Sequence, residues 1–407
     1  MKILLINHYA GAPELGMEFR PYYLAREWQK LGHEVLIVGA TYSHLRKKQP
    51  HQGCQNIDGI NYFWIKTNTY SGNGLKRVWS MILFVVKLLI CHKKRIKAFH
   101  PDIVIASSTY TLDNFASHRL AKKCHAKYIY EIHDLWPLSP MELGGMSKYH
   151  PFIMLMQWAE NYAYKHCDAV VSMLPNAKIH CVEHGLNEDK FFYVPNGIVA
   201  EDWENQSPID SEYQIKIQQI KSQFEFLVGY AGGHAISNAL DELLEVAKLC
   251  KTEAIAFLLI GDGIEKERLK KRIEIERINN VFFFNAVHKN KIPSLLSFMD
   301  ALYIGWQKQN LYRFGVSPNK IFDYMMAGKP IIQAIEAGNN LVAEADCGFY
   351  AEPENVAAIK NVILKLKNLS KEEREKLGNN GKQFVLKEHS YTVLSERFIN
   401  IMRNLKS

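Results

Sequence analysis

KILLINHYAGAPELG, residues 2–16, opens with a continuous apolar run over residues 2–7, which gives way to a loop holding Gly11, Pro13 and Gly16. A run without polar alternation suits a parallel strand covered on both faces. The pattern turns helical over residues 19–31, halts at Gly32, and resumes as a strand in residues 33–39, HEVLIVG. Strand, glycine loop, helix and strand make a βαβ unit, with its loop at the strand's carboxyl end, where open α/β sheets bind ligands. Gly11 and Gly16 are five apart and no GxGxxG opens the helix, so the loop is not the dinucleotide fingerprint.

The same alternation continues along the chain. Two short β-rich pieces flank Gly59, and PDIVIAS (101–107) and KYIYEI (127–132) are further strands, with a helix over 115–125 between them. KYIYEI runs straight into His133-Asp134-Leu135-Trp136-Pro137, which puts a histidine and an aspartate at a strand's carboxyl end: His133 can touch a sugar hydroxyl and Asp134 can position it or orient an acceptor, or else the two are loop polar residues capping the packing of Trp136. After a helix over 154–166 come strands at 168–173 and 192–198, the latter ending on the turn signal Asn196-Gly197. Residues 199–223 are polar and charged, and this shift in composition marks a domain boundary. A second series then begins: FLVGY (226–230), the small-residue turn Ala231-Gly232-Gly233-His234, a helix over 239–250, and strands at 256–261, 281–286 and 300–305. The paired glycines let backbone N–H groups approach a phosphate, and the Val287 to Lys291 loop is placed to flank a base. The expectation is an α/β protein of two Rossmann-like domains, 1–198 and 199–388, with an amphipathic terminal helix in 389–407.

YRFGVSPNKIFDYMMAGKP, residues 312–330, is the functional candidate. A polar loop with Gly315, Ser317, Pro318 and Asn319 enters a helix of about three turns, with Pro318 in its first turn and Gly328 and Pro330 closing it. The N–H groups at the helix start, with Lys320 beside them, form an anion site, and Asp323 one turn on can accept hydrogen bonds from a diol. By itself the stretch also fits an ordinary capped helix.

The seven cysteines (54, 91, 124, 167, 181, 250, 347) include no CxxC pair and no metal-ligand cluster, which points to free thiols in a reducing compartment. The amino terminus has no long apolar core or small-residue cleavage site and reads as a buried strand. Residues 1–200 carry 23 Lys and Arg against 15 Asp and Glu, so the first half holds the whole net charge of +8. Seven basic residues and no acid lie between Lys76 and Lys97. The apolar stretch inside that segment, residues 78–91, is interrupted by Lys87 and is too short to span a membrane. Trp79 and Phe84 among aliphatics, with cations at both ends, suit an interfacial helix on anionic lipid, or else a helix packed on the sheet with a solvated basic end. Because aliphatics, not stacking aromatics, interleave the basic run, nucleic acid is a poor partner.

Taken in order, the pieces GHEV (32–35), HDLWP (133–137), PNGI (195–198), GYAGG (229–233), GDG (261–263) and SPNKIFDYMMAGKPI (317–331) resemble the retaining GT-B glycosyltransferases of glycosyltransferase family 4, in particular bacterial cell-surface polysaccharide and O-antigen transferases. The resemblance implies two Rossmann-like domains facing across a cleft, an acceptor domain first and a donor domain second, with the C-terminal helix crossing back to the first. It places Asp323 at the glutamate that grips the nucleotide ribose. The sugar-contacting glutamate eight positions earlier falls on Gly315, so the E-x7-E pattern is incomplete. The usual Arg and Lys after the second domain's first strand are replaced by Gly232, Gly233, His234 and Asn238. Lys320, Arg313 and the helix start are the substitutes for binding the diphosphate, with Gly261 in the adjoining turn. His133 falls beside the donor sugar, with Asp134 next to it, and Gly16 falls near the donor phosphate.

The implied activity is a hexosyl or N-acetylhexosaminyl transfer from a nucleotide-sugar, UDP-sugar favoured, to a lipid-linked saccharide acceptor in O-antigen, capsule or lipopolysaccharide synthesis, with retention at the anomeric carbon. The implied mechanism uses neither metal nor cofactor, because no DxD-like carboxylate pair sits at a strand end. The implied location is cytoplasmic, peripheral on the inner membrane through Lys76 to Lys97. Two other readings share the scaffold: a non-hydrolysing nucleotide-sugar 2-epimerase, and a non-catalytic nucleotide-sugar-binding subunit.

Overall fold

The computed structural model describes residues 1–90 and 93–406, leaving aside the side chains of residues 93–95. Cys91 and the side chains of Lys93, Lys94 and Arg95, which belong to the basic run, therefore lie outside the described residues. Two compact units form. One comprises Met1–Asn196, Phe314–Val316 and Tyr391–Ser407, and the other Gly197–Arg313 and Ser317–Ser390.

The first unit is built on β1 (Lys2–Ile6), β2 (Glu34–Ala40), β3 (Gly53–Ile57), β4 (Ile60–Ile65), β5 (Ile103–Ala106), β6 (Lys127–Ile132), β7 (Ala169–Ser172) and β8 (Phe191–Tyr193). Their order in the sheet is β3-β4-β2-β1-β5-β6-β7-β8, parallel except where β3 closes the edge antiparallel to β4. The apolar run of β1 explains its central place: Ile3 to Ile6 are fully buried, and Leu4 lies opposite Leu36 on one side and Val104 on the other. The order reverses between β1 and β5, which makes their carboxyl ends a topological switch point. Helix α1 (Arg20–Lys30) starts with Pro21 in its first turn, where no N–H is needed, and buries Trp28. The C-terminal helix (Tyr391–Lys406) packs on it, with Phe398 edge-on to Trp28 at 5.2 Å and Tyr391 beside Tyr23 at 5.1 Å. Helix α2 (Leu75–Ile90) buries Met81, Phe84 and Leu88. No helix among the described residues is long and apolar enough to cross a membrane.

The second unit carries β9 (Phe226–Ala231), β10 (Ile255–Ile260), β11 (Val281–Phe284), β12 (Ala301–Gly305), β13 (Ile331–Ala334) and β14 (Gly348–Tyr350), ordered β11-β10-β9-β12-β13-β14 and parallel. Its switch point lies between β9 and β12. The polar stretch taken as a boundary contains a helix, α3 (Ser211–Lys221), which the structure adds to the expectation. Only Ile217 and Ile220 of α3 are buried, so two residues at helical spacing were its whole apolar signal. Helix α4 (Asn319–Met326) has 8 residues, about two turns where three were expected, and Pro318 is its extended N-cap, outside the first turn. Gly328 follows at φ 64, the left-handed stop expected of it. Helix α5 (Lys371–His389) seats on that end through Gly378, whose Cβ, if present, would lie 1.9 Å from the Gly328 carbonyl oxygen.

Candidate active site

The second unit's switch-point loops are built from backbone in contact with backbone. The turn after β9 lies against the turn after β10. A Cβ on Gly261, at φ 143, would fall 1.9 Å from the Gly232 carbonyl oxygen, and one on Gly263 would fall 2.2 Å from that of His234. Lys266 locks the turn from below, its buried ammonium donating to the carbonyls of Gly261 (2.8 Å) and Phe284 (3.2 Å) and to Asn285 Oδ1 (2.8 Å). Gly261 is thus a glycine because two loops touch there.

Lys320 enters this platform from the first turn of α4. Its ammonium donates to the Tyr230 hydroxyl at 2.9 Å and to Asn238 Oδ1 at 3.1 Å, and sits 4.3 Å from the Tyr230 ring centroid. Among the described residues it pairs with no carboxylate, and burial alone lowers its pKa to about 7. A Cβ on Gly232 would come within 2.6 Å of Lys320 Cε, so the glycine leaves the space through which the lysine reaches back. An amine near neutrality, held by neutral groups only, takes up a proton when an anion arrives. Asp323 lies one turn along α4 and is partly buried. Burial raises its carboxyl to about 6, Lys289 pulls it down, Asp202 pushes it up, and a hydrogen bond from the Trp203 side chain lowers it.

The other expected donor residues are placed variously. Gly233 has open space where a Cβ would project, the nearest atom being Asp262 O at 3.9 Å. His234 departs from expectation. Its imidazole is fully buried between Tyr230 and Phe283 with neither ring nitrogen hydrogen-bonded, and it offers only backbone to the turn, its N–H donating to Asp262 O at 2.8 Å. Burial and the nearby Lys266 push its pKa down to about 4. Val287 is half-buried in the loop after β11, and Lys291 pairs with Asp210 at 2.6 Å, which takes up the charge expected to serve a ligand. Arg313 is exposed, donates to the Asn310 carbonyl at 2.7 Å, and lines a hollow of about 410 Å³ with Lys308 and Glu336. Ser317 and Pro318 are half-buried ahead of α4, and Asn319 is exposed at its first position.

In the first unit the loop after β6 carries His133. Its Nε2 lies 2.9 Å from Ser107 Oγ and 3.2 Å from Glu131 Oε2. Glu131 is buried in the sheet and pairs with Arg20 Nε at 3.0 Å, while Arg20 also donates to the carbonyls of Val194 and Pro195. Burial would raise the Glu131 carboxyl, but the Arg20 guanidinium and hydrogen bonds from His133 and Ser107 hold it down at about 2. The ionised carboxylate and the Ser107 hydroxyl, which donates to it at 2.6 Å, favour a proton on His133 Nε2 and leave Nδ1 as an acceptor. Asp134 is turned inward. Burial raises its pKa, and its Oδ1 accepts from Ser139 Oγ (2.6 Å) and the Leu135 N–H (2.9 Å). Gly16 sits at φ 112, where a Cβ would be 2.9 Å from the Lys47 nitrogen.

Sequence reasoning missed the supports: Arg20, Ser107 and Glu131 behind His133, and Tyr230 and Asn238 around Lys320. One signal was available, a glutamate inside the otherwise buried strand KYIYEI, since a buried carboxylate demands a cation. For a metal, Glu160, His180 and His184 bring ligand-type atoms within 4.8 Å of one another among the described residues. The Glu160 oxygens are already engaged by His180 Nε2 (2.9 Å), Tyr164 OH (2.9 Å) and Gln157 Nε2 (2.7 Å), so the group is a closed hydrogen-bond network.

Comparison with known proteins adds the following. Residues 16–202 match the family model described as Glycosyltransferase Family 4, and residues 214–384 match that described as Glycosyl transferases group 1. The probable glycosyltransferase WbjE of Pseudomonas aeruginosa is 21% identical over 411 residues, covering 100% of this chain and 98% of its own. The putative colanic acid biosynthesis glycosyl transferase WcaI of Escherichia coli is 22% identical, covering 83% and 80%. The crystal structure of Anabaena Alr3699/HepE in complex with UDP and glucose superposes with a TM-score of 0.68 over 99% of this chain and 100% of that one, at 14% identity.

Proposed function

This chain belongs to glycosyltransferase family 4 and has the GT-B fold of two parallel-sheet α/β units, and from that premise we propose that it transfers a hexosyl or N-acetylhexosaminyl group from a UDP-sugar to a lipid-linked saccharide in cell-surface polysaccharide synthesis, with retention of anomeric configuration. The observation that carries the donor reading is Lys320, an ammonium without a carboxylate, seated over Gly232 at the β9/β12 switch point. A diphosphate there meets a cation, the open backbone of Gly233 and the start of α4, and a leaving diphosphate is stabilised by such fixed charges and dipoles. This is our reason for assigning the counter-charge to Lys320, with no divalent ion in the scheme. Asp323, held by Trp203, stands one turn further on to receive the ribose hydroxyls. In the first unit His133, aimed by Glu131, orients the sugar. UDP is preferred because Anabaena Alr3699/HepE was crystallised with it, and a polysaccharide product because WcaI is named for colanic acid.

In our reading the acceptor is lipid-linked and the protein is peripheral on the cytoplasmic face of the inner membrane, and the feature that supports a lipid surface is α2. Leu75, Trp79, Val86 and Ile90 lie on one face of that helix and are 87%, 57%, 42% and 73% exposed, with Lys76 and Lys87 beside them. An apolar stripe edged by cations is how a helix lies on anionic lipid.

The test is thermal shift against UDP-, GDP-, ADP- and TDP-sugars, followed by product analysis with an acceptor lipid. A UDP-sugar should raise the melting temperature by mass action. Conversion of the donor without acceptor would make the protein an epimerase, and UDP-sugar binding without turnover on any acceptor lipid would make it a binding subunit.

A further inference from the structure

The first unit contains a cavity of about 740 Å³ beside the loop that carries His133 and Asp134. That is within the roughly 300–1,000 Å³ of small-molecule sites. One wall is hydrocarbon, from Val78 and Met81 of α2 together with Trp136, Leu143 and Phe152. Its polar lining includes Arg77 and Asp134. The Arg77 guanidinium lies 6.0 Å from the Trp136 ring centroid and donates to Tyr9 OH (3.4 Å) and Asn73 Oδ1, and no described carboxylate pairs with it. Asp134 is turned to Ser139 and the Leu135 N–H, so it leaves that charge unanswered. A cation without a counter-ion beside an apolar hollow selects an anion carried on hydrocarbon. Leu75 belongs both to the cavity lining and to the exposed stripe of α2, so apolar surface continues from inside the hollow onto the helix face.

We infer that this cavity takes the anionic head and first carbons of a lipid phosphate, with Arg77 on the phosphate and the chain leaving over Leu75 along the Trp79–Val86–Ile90 stripe. The inference rests on the acceptor reading above and names the part of the acceptor that the first unit grips. A lipid phosphate can come from the acceptor's own carrier or from a membrane phospholipid, and the test separates the two.

Calorimetry on the full chain would use farnesyl phosphate, farnesol, inorganic phosphate and a short-chain phosphatidylglycerol below its micelle concentration. Farnesyl phosphate should bind at least tenfold more tightly than farnesol or phosphate alone. Arg77→Ala should lose that tenfold preference over farnesol, while Leu143→Glu should weaken both prenyl compounds and leave the melting temperature unchanged. Equal affinity for farnesol, or undiminished farnesyl phosphate binding in Arg77→Ala, would overturn the inference. Displacement of farnesyl phosphate by phosphatidylglycerol at equal concentration would overturn the acceptor assignment in favour of a membrane headgroup. The UDP-sugar thermal shift, measured on the same samples, keeps the two readings apart. If it is absent while Arg77-dependent binding persists, the donor reading falls and the cavity assignment stands.

Discussion

Replacing Lys320 with methionine should make the unliganded protein more stable. The folded chain holds this ammonium with no counter-ion, and its pKa falls from 10.5 to about 7. At about 1.4 kcal/mol per unit the strain has a ceiling of about 5 kcal/mol. Methionine keeps the stem but forfeits two hydrogen bonds, to Tyr230 and Asn238, worth about 1 kcal/mol each. The net gain is about 2–3 kcal/mol, or roughly 4–10 °C in the melting temperature of a unit this size. The sign depends on pH. Because the folded pKa lies below the unfolded one, wild-type stability climbs as pH rises from about 7 towards 10.5, so the variant's advantage is full below 7 and fades across that window. Scanning calorimetry at pH 6.5 and 9.5, with and without UDP, reads all of this. The variant should melt higher without ligand at pH 6.5, lose most of that lead at 9.5, and show little of the wild type's shift with UDP. A variant that melts lower than wild type at pH 6.5, or keeps the whole UDP shift, refutes the idea that stability is given up here for an anion.

Gly232→Ala puts a Cβ within 2.6 Å of Lys320 Cε and should weaken UDP binding by tenfold or more in titration calorimetry, whereas in a Lys320→Ala background, where Cε is gone, the same change should cost little. Glu131→Gln leaves Arg20 buried without its carboxylate and should cost about 3–5 kcal/mol in urea unfolding. The Glu131 carboxyl, at about 2 when folded against 4.5 otherwise, contributes stability that is present above pH 4.5 and lost as pH falls towards 2, and the Gln variant should lack that acid limb. His234, lowered from 6.5 to about 4, makes wild-type stability fall between those values as pH drops, by about 3 kcal/mol at most. His234→Phe should flatten the profile there, and an unchanged slope would mean the imidazole is not the titrating group.

The strands were legible because each switch-point strand is an unbroken apolar run: residues 2–7 and 226–230 have no polar period to mislead a reader, and they became β1 and β9. Helix α3 was not legible, since SEYQIKIQQIK offers only Ile217 and Ile220 to a core within a charged stretch. At the site, Lys320 could be picked out from its place at a helix start. What holds it could not, because Tyr230 and Asn238 come from the far side of a crossover and meet it only through tertiary geometry. The burial of the His234 ring was hidden for the same reason. A histidine after a glycine pair looks available until Phe283, from another strand, closes over it.

Gly378 lies at the opposite end of α4 from Lys320, and its bareness sets how closely α5 can approach that end. Its bare backbone against Gly328 leaves no slack at the rear of the eight-residue rod whose front bears the ammonium. A methyl group added there works as a wedge under a short lever: the rod tilts, its front swings, and the cation leaves the seat above Gly232. Loss of donor grip from a substitution remote from any ligand would then report alignment, with every charge still in place.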